Sequence, residues 1–208
     1  RSTLFPYTTL FRSSYLLAIV FAAFAFTANA QSEAGSMFIK PMAGGTLTTL
    51  TGDVDHAKMK FGFVGGAEFI YQLSDQFALS GGALYTMQGA KQDYTDIKVN
   101  LDYLNIPLLA NYYVAPGLAI KAGLQPGFLM SAKAKADDVE VDMKDGLKSF
   151  ELAIPIGVSY EFDDFVIDAR YNFGVTNINK DDASSGWEST GKAHNSVIML
   201  TVGYKIPL

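Results

Sequence analysis

FELAIPIGVSYEF, residues 150–162, sets Phe150, Leu152, Ile154, Ile156, Val158, Tyr160 and Phe162 at alternate positions, with Glu151, Ala153, Pro155, Gly157, Ser159 and Glu161 between them. Side chains along a strand point alternately to its two faces, so this segment is a strand with one oily face and one polar face. In a water-soluble protein the oily face points inward. The rest of the chain decides whether it does so here.

The period of two continues almost everywhere from residue 36 onward. FGFVGGAEFIYQL sets Phe61, Phe63, Ala67, Phe69 and Tyr71 against Gly62, Gly66, Glu68 and Gln72. FALSGGALYTMQG alternates Phe77, Leu79, Ala83, Tyr85 and Met87 with Ala78, Ser80, Gly82, Thr86 and Gln88. Segments at 118–133, 165–175 and 197–205 behave alike, and with strands near 36–46 and 97–114 the expected total is eight. Each runs about ten residues or longer, the ~9–11 that a tilted strand needs to cross a bilayer.

Connections alternate in length. LSDQ (73–76), APG (115–117) and Asp163-Asp164 are tight, whereas 47–59, 91–96, 134–146 and 179–194 are longer and polar. Short turns at one end and long loops at the other are the habit of outer-membrane barrels, with both termini on the periplasmic side. The expected fold is all-β: an eight-stranded antiparallel up-and-down transmembrane barrel.

Volume decides the facing. An eight-stranded barrel has an interior just wide enough for side chains to fill it. The oily faces together carry dozens of large residues, too many for that space, while the polar faces are rich in Gly, Ala and Ser. The oily face therefore looks at lipid. Aromatic residues agree: Tyr71, Phe77, Tyr112, Tyr160, Phe162, Phe165 and Tyr204 lie near the short turns or the C-terminus, and Phe61, Tyr85, Phe128 and Phe150 nearer the long loops. Two girdles flanking an apolar band are expected where amphipathic rings meet a membrane interface. Pro41, Pro107, Pro126 and Pro155 fall inside strands, where each removes a ladder hydrogen bond, and the strand at 97–114 is expected to switch phase near Tyr103-Leu104, as a bulge would do.

By parity the inward charges are Lys60, Glu68, Lys121, Lys133, Glu151, Glu161, Asp168, Arg170 and Lys205. Glu68, Lys121, Asp168 and Arg170 fall at similar depth, so they are expected to meet across the axis, with Glu68 in salt-bridge range of Lys121 or Arg170 and the lumen closed.

The chain has 208 residues, no cysteine and a net charge of −5. Disulfides and thiolate metal sites are excluded, and the acidic balance argues against nucleic acid, which demands a basic surface. SYLLAIVFAAFAFTANAQS (14–32) joins a short apolar run to Ala28-Asn29-Ala30, the pattern of a cleaved secretory signal at 14–30 with Gln31 as the mature start. The run is too short for a spanning helix, which needs ~20 residues. RSTLFPYTTLFRS (1–13) looks like a foreign scar and is set aside, leaving 31–208 as the barrel.

DYLNIPLLANYYV (102–114), GLQPGFLMSAK (123–133), ARYNFGVTNI (169–178) and the terminal VGYKIPL resemble the PorT-like outer-membrane β-barrel family, compact barrels of the OmpA and OmpX type. The resemblance implies a Gram-negative outer membrane and, for some members, a link to a protein-secretion apparatus. It carries over no functional residues. Thr201, Gly203, Ile206 and Leu208 resemble the terminal signal read by the outer-membrane insertion machinery, with Leu208 where an aromatic is usual.

For chemistry, His194 and Ser196 share one parity at the loop end of the last strand, as in barrel enzymes that modify lipid A. A base within reach of the hydroxyl is what nucleophilic catalysis needs, but the neighbouring outward face has no carboxylate and Glu188 is the nearest substitute. The bland alternative is a polar strand cap. The acidic loops at 137–146 and 179–185 lack the spacing of a calcium loop, and His56 reads as a surface residue. No cofactor is implied. The expected reading is a non-enzymatic barrel in contact with outer-membrane lipid and lipopolysaccharide, acting through its loops or as a partner in an envelope or secretion complex. A lipid A-modifying enzyme and a small passive pore are the alternatives.

Overall fold

A computed structural model describes residues 32–53, 57–92, 98–136, 139–180 and 191–208. Residues 1–13, expected as a foreign scar, residues 14–30, expected as an export signal, and Glu188 lie outside the described residues. The described residues form strands β1 (Met37–Gly52), β2 (Ala57–Lys58), β3 (Lys60–Ser74), β4 (Phe77–Gln92), β5 (Lys98–Asn105), β6 (Leu108–Ala115), β7 (Leu118–Ala136), β8 (Val139–Asp142), β9 (Phe150–Phe162), β10 (Phe165–Gly174), β11 (Ala193–Tyr204) and β12 (Ile206–Pro207), with a 3-10 turn at Lys144–Gly146 between β8 and β9. β5 and β6 lie end to end between β4 and β7 and make one stave. With it, eight staves follow one another antiparallel, and β1 pairs with β11 from Met42↔Gly203 to Gly52↔Ala193 to close the ring. In lipid no water meets an unpaired backbone group, so closure is what makes a sheet admissible there.

The tight connections are two-residue hairpins. Phe162↔Phe165 flanks Asp163, held at φ 50°, a conformation that Asp tolerates better than most residues. Ala115↔Leu118 flanks Pro116 and Gly117, whose φ of 73° is the glycine position of a type II turn. At the other end the strands run further than expected. β1 continues to Gly52 rather than ending near 46, and β7 spans 19 residues. The segment expected as a loop at 134–146 contains β8, which pairs back on β7.

The phase switch expected near Tyr103-Leu104 is absent. Leu101, Tyr103, Asn105, Pro107, Leu109, Asn111 and Tyr113 all face inward in unbroken parity. The irregularity lies in the partner strand: Asp102 pairs with Ser131 but Tyr103 with Leu129, leaving Met130 as a bulge in β7. Because 97–114 carries apolar residues on both faces, its alternation did not reveal which face was which. The bulge has a second consequence. Beyond it the parity of β7 inverts, so Lys133, expected in the lumen, points outward and donates to Glu140 at 2.6 Å. The stave break at Ile106-Pro107 accommodates one proline: the Pro107 carbonyl accepts from Gly82 N–H at 3.1 Å, and Ile106 N–H donates to the Pro126 carbonyl at 2.8 Å.

Burial is inverted relative to a soluble protein. Phe61 is 73% exposed and Leu200 57%, whereas Lys40 is 1% and Glu68 0% exposed. On β9, Ile154, Ile156 and Val158 face outward and Glu151, Ser159 and Glu161 face inward, so the oily face of 150–162 is the lipid face. Ile156 sits midway along β9, between the aromatic ends Phe150 and Phe162. Ile156→Arg is expected to cost ~2–4 kcal/mol, the range for a cation at the bilayer midplane. Denaturant unfolding of the barrel in phospholipid vesicles measures this, and a neutral substitution would reverse the assignment of faces.

Candidate functional site in the barrel lumen

The inward side chains stack in layers from the short turns to the long loops. Nearest the turns, Ile70, Ala78, Tyr113 and Ala119 pack with Phe38. Beside them Glu161 accepts from Tyr113 Oη at 2.7 Å and from Lys205 Nζ at 2.6 Å, and the Lys205 ammonium lies 4.3 Å from the Phe38 ring centroid.

The next layer is ionic. Arg170 Nη1 lies 2.6 Å from Glu68 Oε1, and Lys40 Nζ lies 2.8 Å from Glu68 Oε2. Asp168 takes Arg170 Nε at 2.6 Å, Arg170 Nη2 at 2.7 Å and Lys121 Nζ at 2.6 Å, with Lys40 Nζ at 3.7 Å. Three cations thus share two carboxylates. They come from β1, β3, β7 and β10, and β1 and β7 stand opposite each other in the ring of eight, so the network spans the axis. Lys40, which links both carboxylates, was missed in the sequence. MFIKPMAGG carries apolar residues at both parities, so its inward face is not legible there.

Glycine makes room for this layer. A Cβ on Gly82 would stand 2.8 Å from Glu68 Cγ, one on Gly157 2.8 Å from Arg170 Cγ, and one on Gly203 2.9 Å from Lys40 Cγ. Each charged stem lies in the space that a neighbouring strand leaves by having no side chain.

Above the charges, Met42, Val64, Leu84 and Met199 form an apolar layer among inward faces otherwise rich in small and polar residues. Next comes a polar tier. Glu151 is met by an amide rather than a cation, accepting from Asn195 Nδ2 at 2.5 Å, while Asn105 Nδ2 donates to Thr86 Oγ1 at 3.1 Å and Lys60 Nζ to the Gln88 carbonyl at 2.9 Å. At the loop end, Leu101, Tyr103, Leu129, Ala132 and Ala193 pack with Leu147 and Ile178. The last two come from the connections and are tied over the mouth by Lys148 N–H to the Ile178 carbonyl at 2.8 Å and Ile178 N–H to the Ala193 carbonyl at 2.9 Å. Nothing periodic in the sequence marks them.

Elsewhere the chemistry is sparse. The Ser196 hydroxyl shares a 2.6 Å hydrogen bond with the Tyr171 phenol, and His194 Nδ1 has no hydrogen-bond partner among the described residues. A phenol, not an imidazole, therefore stands against the candidate nucleophile. No group of three metal-ligating side chains occurs among the described residues. A groove of about 500 Å³ beside the stave break, lined by Phe69, Leu79, Gly81, Leu108, Ala122 and Leu124, lies on the outer wall.

The turn-end aromatics all lie outside the lumen. Phe162 stacks on Phe165 at 5.6 Å, Phe165 meets Tyr204 edge-on at 5.1 Å, and Phe77 pairs across strands with Tyr112, with Tyr71 and Tyr160 on the same band. At the C-terminus Thr201 and Gly203 face inward, Ile206 and Leu208 face out, and Leu208 N–H donates to the Met37 carbonyl at 3.0 Å.

A family model described as outer membrane protein beta-barrel domain matches residues 29–180. Among solved structures, Ail, the attachment invasion locus protein of Yersinia pestis, superposes with a TM-score of 0.52 at 17% identity, covering 83% of this chain and 99% of that one. Neisserial surface protein A gives a TM-score of 0.52 at 15% identity, covering 81% and 97%. At such identities the likeness is one of fold. Comparison with curated proteins gives no match.

Removing one partner of a buried ionic network leaves an uncompensated charge, typically worth ~3–5 kcal/mol. Glu68→Ala leaves Arg170, Lys40 and Lys121 with one carboxylate. Lumenal water softens the loss, so about 3 kcal/mol is expected in vesicle unfolding titrations. A loss under about 1 kcal/mol, the level of an exposed pair, would mean that the layer is solvated.

Proposed function

The chain belongs to the outer-membrane β-barrel domain family, and from that premise we propose that it is a non-enzymatic, non-conducting barrel that acts through its extracellular surface. It resides in the outer membrane of a Gram-negative bacterium. In this reading residues 14–30 direct export, and Thr201, Gly203, Ile206 and Leu208 guide insertion. The observation that carries it is the span of the Lys40, Glu68, Lys121, Asp168 and Arg170 network across the axis, beside the apolar layer of Met42, Val64, Leu84 and Met199. An ion crossing the barrel would have to break those pairs and then pass the Met42, Val64, Leu84 and Met199 layer without its hydration. Such a lumen serves as a rigid post, and the variable chemistry is left to the loops and the outer rim. The PorT-like segments support a place beside an envelope or secretion complex.

Two observations weigh against the alternatives. The Ser196 hydroxyl is engaged by Tyr171 rather than by a base, which disfavours lipid A hydrolysis. The ionic layer disfavours a passive pore, whose interior is polar and water-filled. Planar-bilayer recording of the wild-type chain tests the reading. Rare, small openings are expected, and a steady, large, porin-like conductance would overturn it.

A further inference from the structure

Four carboxylates are buried on the inward faces of the described strands: Glu68, Glu151, Glu161 and Asp168. Glu68, Glu161 and Asp168 each hold a lysine or arginine nitrogen at 2.6 Å. Glu151 holds none. Its partner Asn195 is a neutral amide, and no lysine or arginine of the described residues pairs with it. Lys60, the cation of this tier, donates instead to the Gln88 carbonyl at 2.9 Å. A buried carboxylate without a counter-charge is among the costliest groups a fold can contain.

The groups around Glu151 are short of donors. Asn195, Tyr103 and Asn172 are each 4% exposed or less. Asn195 spends its Nδ2 on Glu151 Oε2, and its Oδ1 has no hydrogen-bond partner among the described residues. The Tyr103 phenol faces both Glu151 and Asn195 without a well-formed hydrogen bond to either. On β10, one inward position from Gly174, Asn172 Oδ1 is likewise unpartnered among the described residues. Glycine gives the carboxylate room on both flanks. Gly127 stands directly opposite Glu151 on β7, and a Cβ on Gly174 would lie 3.3 Å from Glu151 Oε1. Buried polar atoms are satisfied as a rule, so an electron-poor group belongs among these oxygens.

Charge and enclosure narrow the choice. Water satisfies amide oxygens but leaves the carboxylate charge uncompensated. A divalent ion exceeds that single charge, in a tier where Lys60 is already cationic. The Met42, Val64, Leu84 and Met199 layer lies below, and Leu147 and Ile178 pack over the mouth above. That enclosure suits a bare ion rather than an organic cation, and oxygen is the ligand that hard cations take. We propose that the Glu151 carboxylate, Asn195 Oδ1, Tyr103 Oη and Asn172 Oδ1 form a site for one monovalent metal cation, Na⁺ or K⁺. The site depends only on the burial of these groups and is independent of how the barrel acts on partners.

The full chain is folded into phosphatidylcholine vesicles and unfolded with urea in NaCl, KCl or choline chloride of equal concentration, choline being too large for the site. Wild type should be more stable in NaCl or KCl than in choline chloride. Above saturation, each tenfold rise in the metal ion should raise the folded-to-unfolded ratio about tenfold. Glu151→Gln removes the charge and keeps the shape, so that response should vanish. In choline chloride this variant should be at least as stable as wild type, which also shows that it folds. Glu140→Gln, at an exposed ion pair outside the lumen, should keep the full response. In crystals of the wild type, thallium(I), a K⁺ substitute that scatters anomalously, should give a peak beside Glu151 that Glu151→Gln lacks. An equal salt response in wild type and Glu151→Gln would overturn the site. Wild-type stability that ignores Na⁺ and K⁺ but falls as pH rises would put a proton on Glu151 and overturn the metal; indifference to both would assign the tier to water and overturn it too. Stronger stabilisation by CaCl₂ than by NaCl or KCl, lost in Glu151→Gln, would overturn the single charge.

Discussion

A sheet immersed in hydrocarbon can leave no backbone donor or acceptor unpaired along an edge, and the pairing of β1 with β11 removes the last edge of this one. Closing at eight staves fixes the bore, and the bore fixes what each face can carry. The interior admits about one layer of side chains at any height, so the large apolar residues of every strand stand outside. The inward residues have no room to avoid one another. Charges placed at similar depth on strands that face each other across the ring must become partners.

The way those partners fit is a matter of glycine. Gly82, Gly157 and Gly203 have no role as turns; they leave the space through which the stems of Glu68, Arg170 and Lys40 run. Bulk on one strand is matched by its absence on the next, which is how an interior this narrow holds an arginine, two lysines and two carboxylates in one layer. Burial of these groups strengthens the attraction between them. A lumen built in this way is a structural core turned electrostatic, with the usual hydrophobic core displaced to the lipid face.

The Tyr171–Ser196 pair and the aromatic bands lie on the outer wall or at its rim. The fold is shared with Ail and with neisserial surface protein A.

Period-two alternation determined the fold class, the number of staves, the lipid face and the short-turn end, because each follows from local geometry and from the volume of an eight-stranded bore. The same alternation brought Glu68, Lys121, Asp168 and Arg170 to one depth. It failed where both faces of a strand are apolar. In 97–114 and in MFIKPMAGG the pattern is ambiguous, so a phase switch was placed on the wrong strand and Lys40 was overlooked. The Met130 bulge, which turns Lys133 outward, is a property of the pairing between β5 and β7 and has no signature in either segment alone. Nor has the mouth formed by Leu147 and Ile178, whose burial depends on two connections bonding to each other. Lys91, Lys98 and Lys135, scattered through the sequence, stand side by side only through register, a long-range relation that no local period encodes.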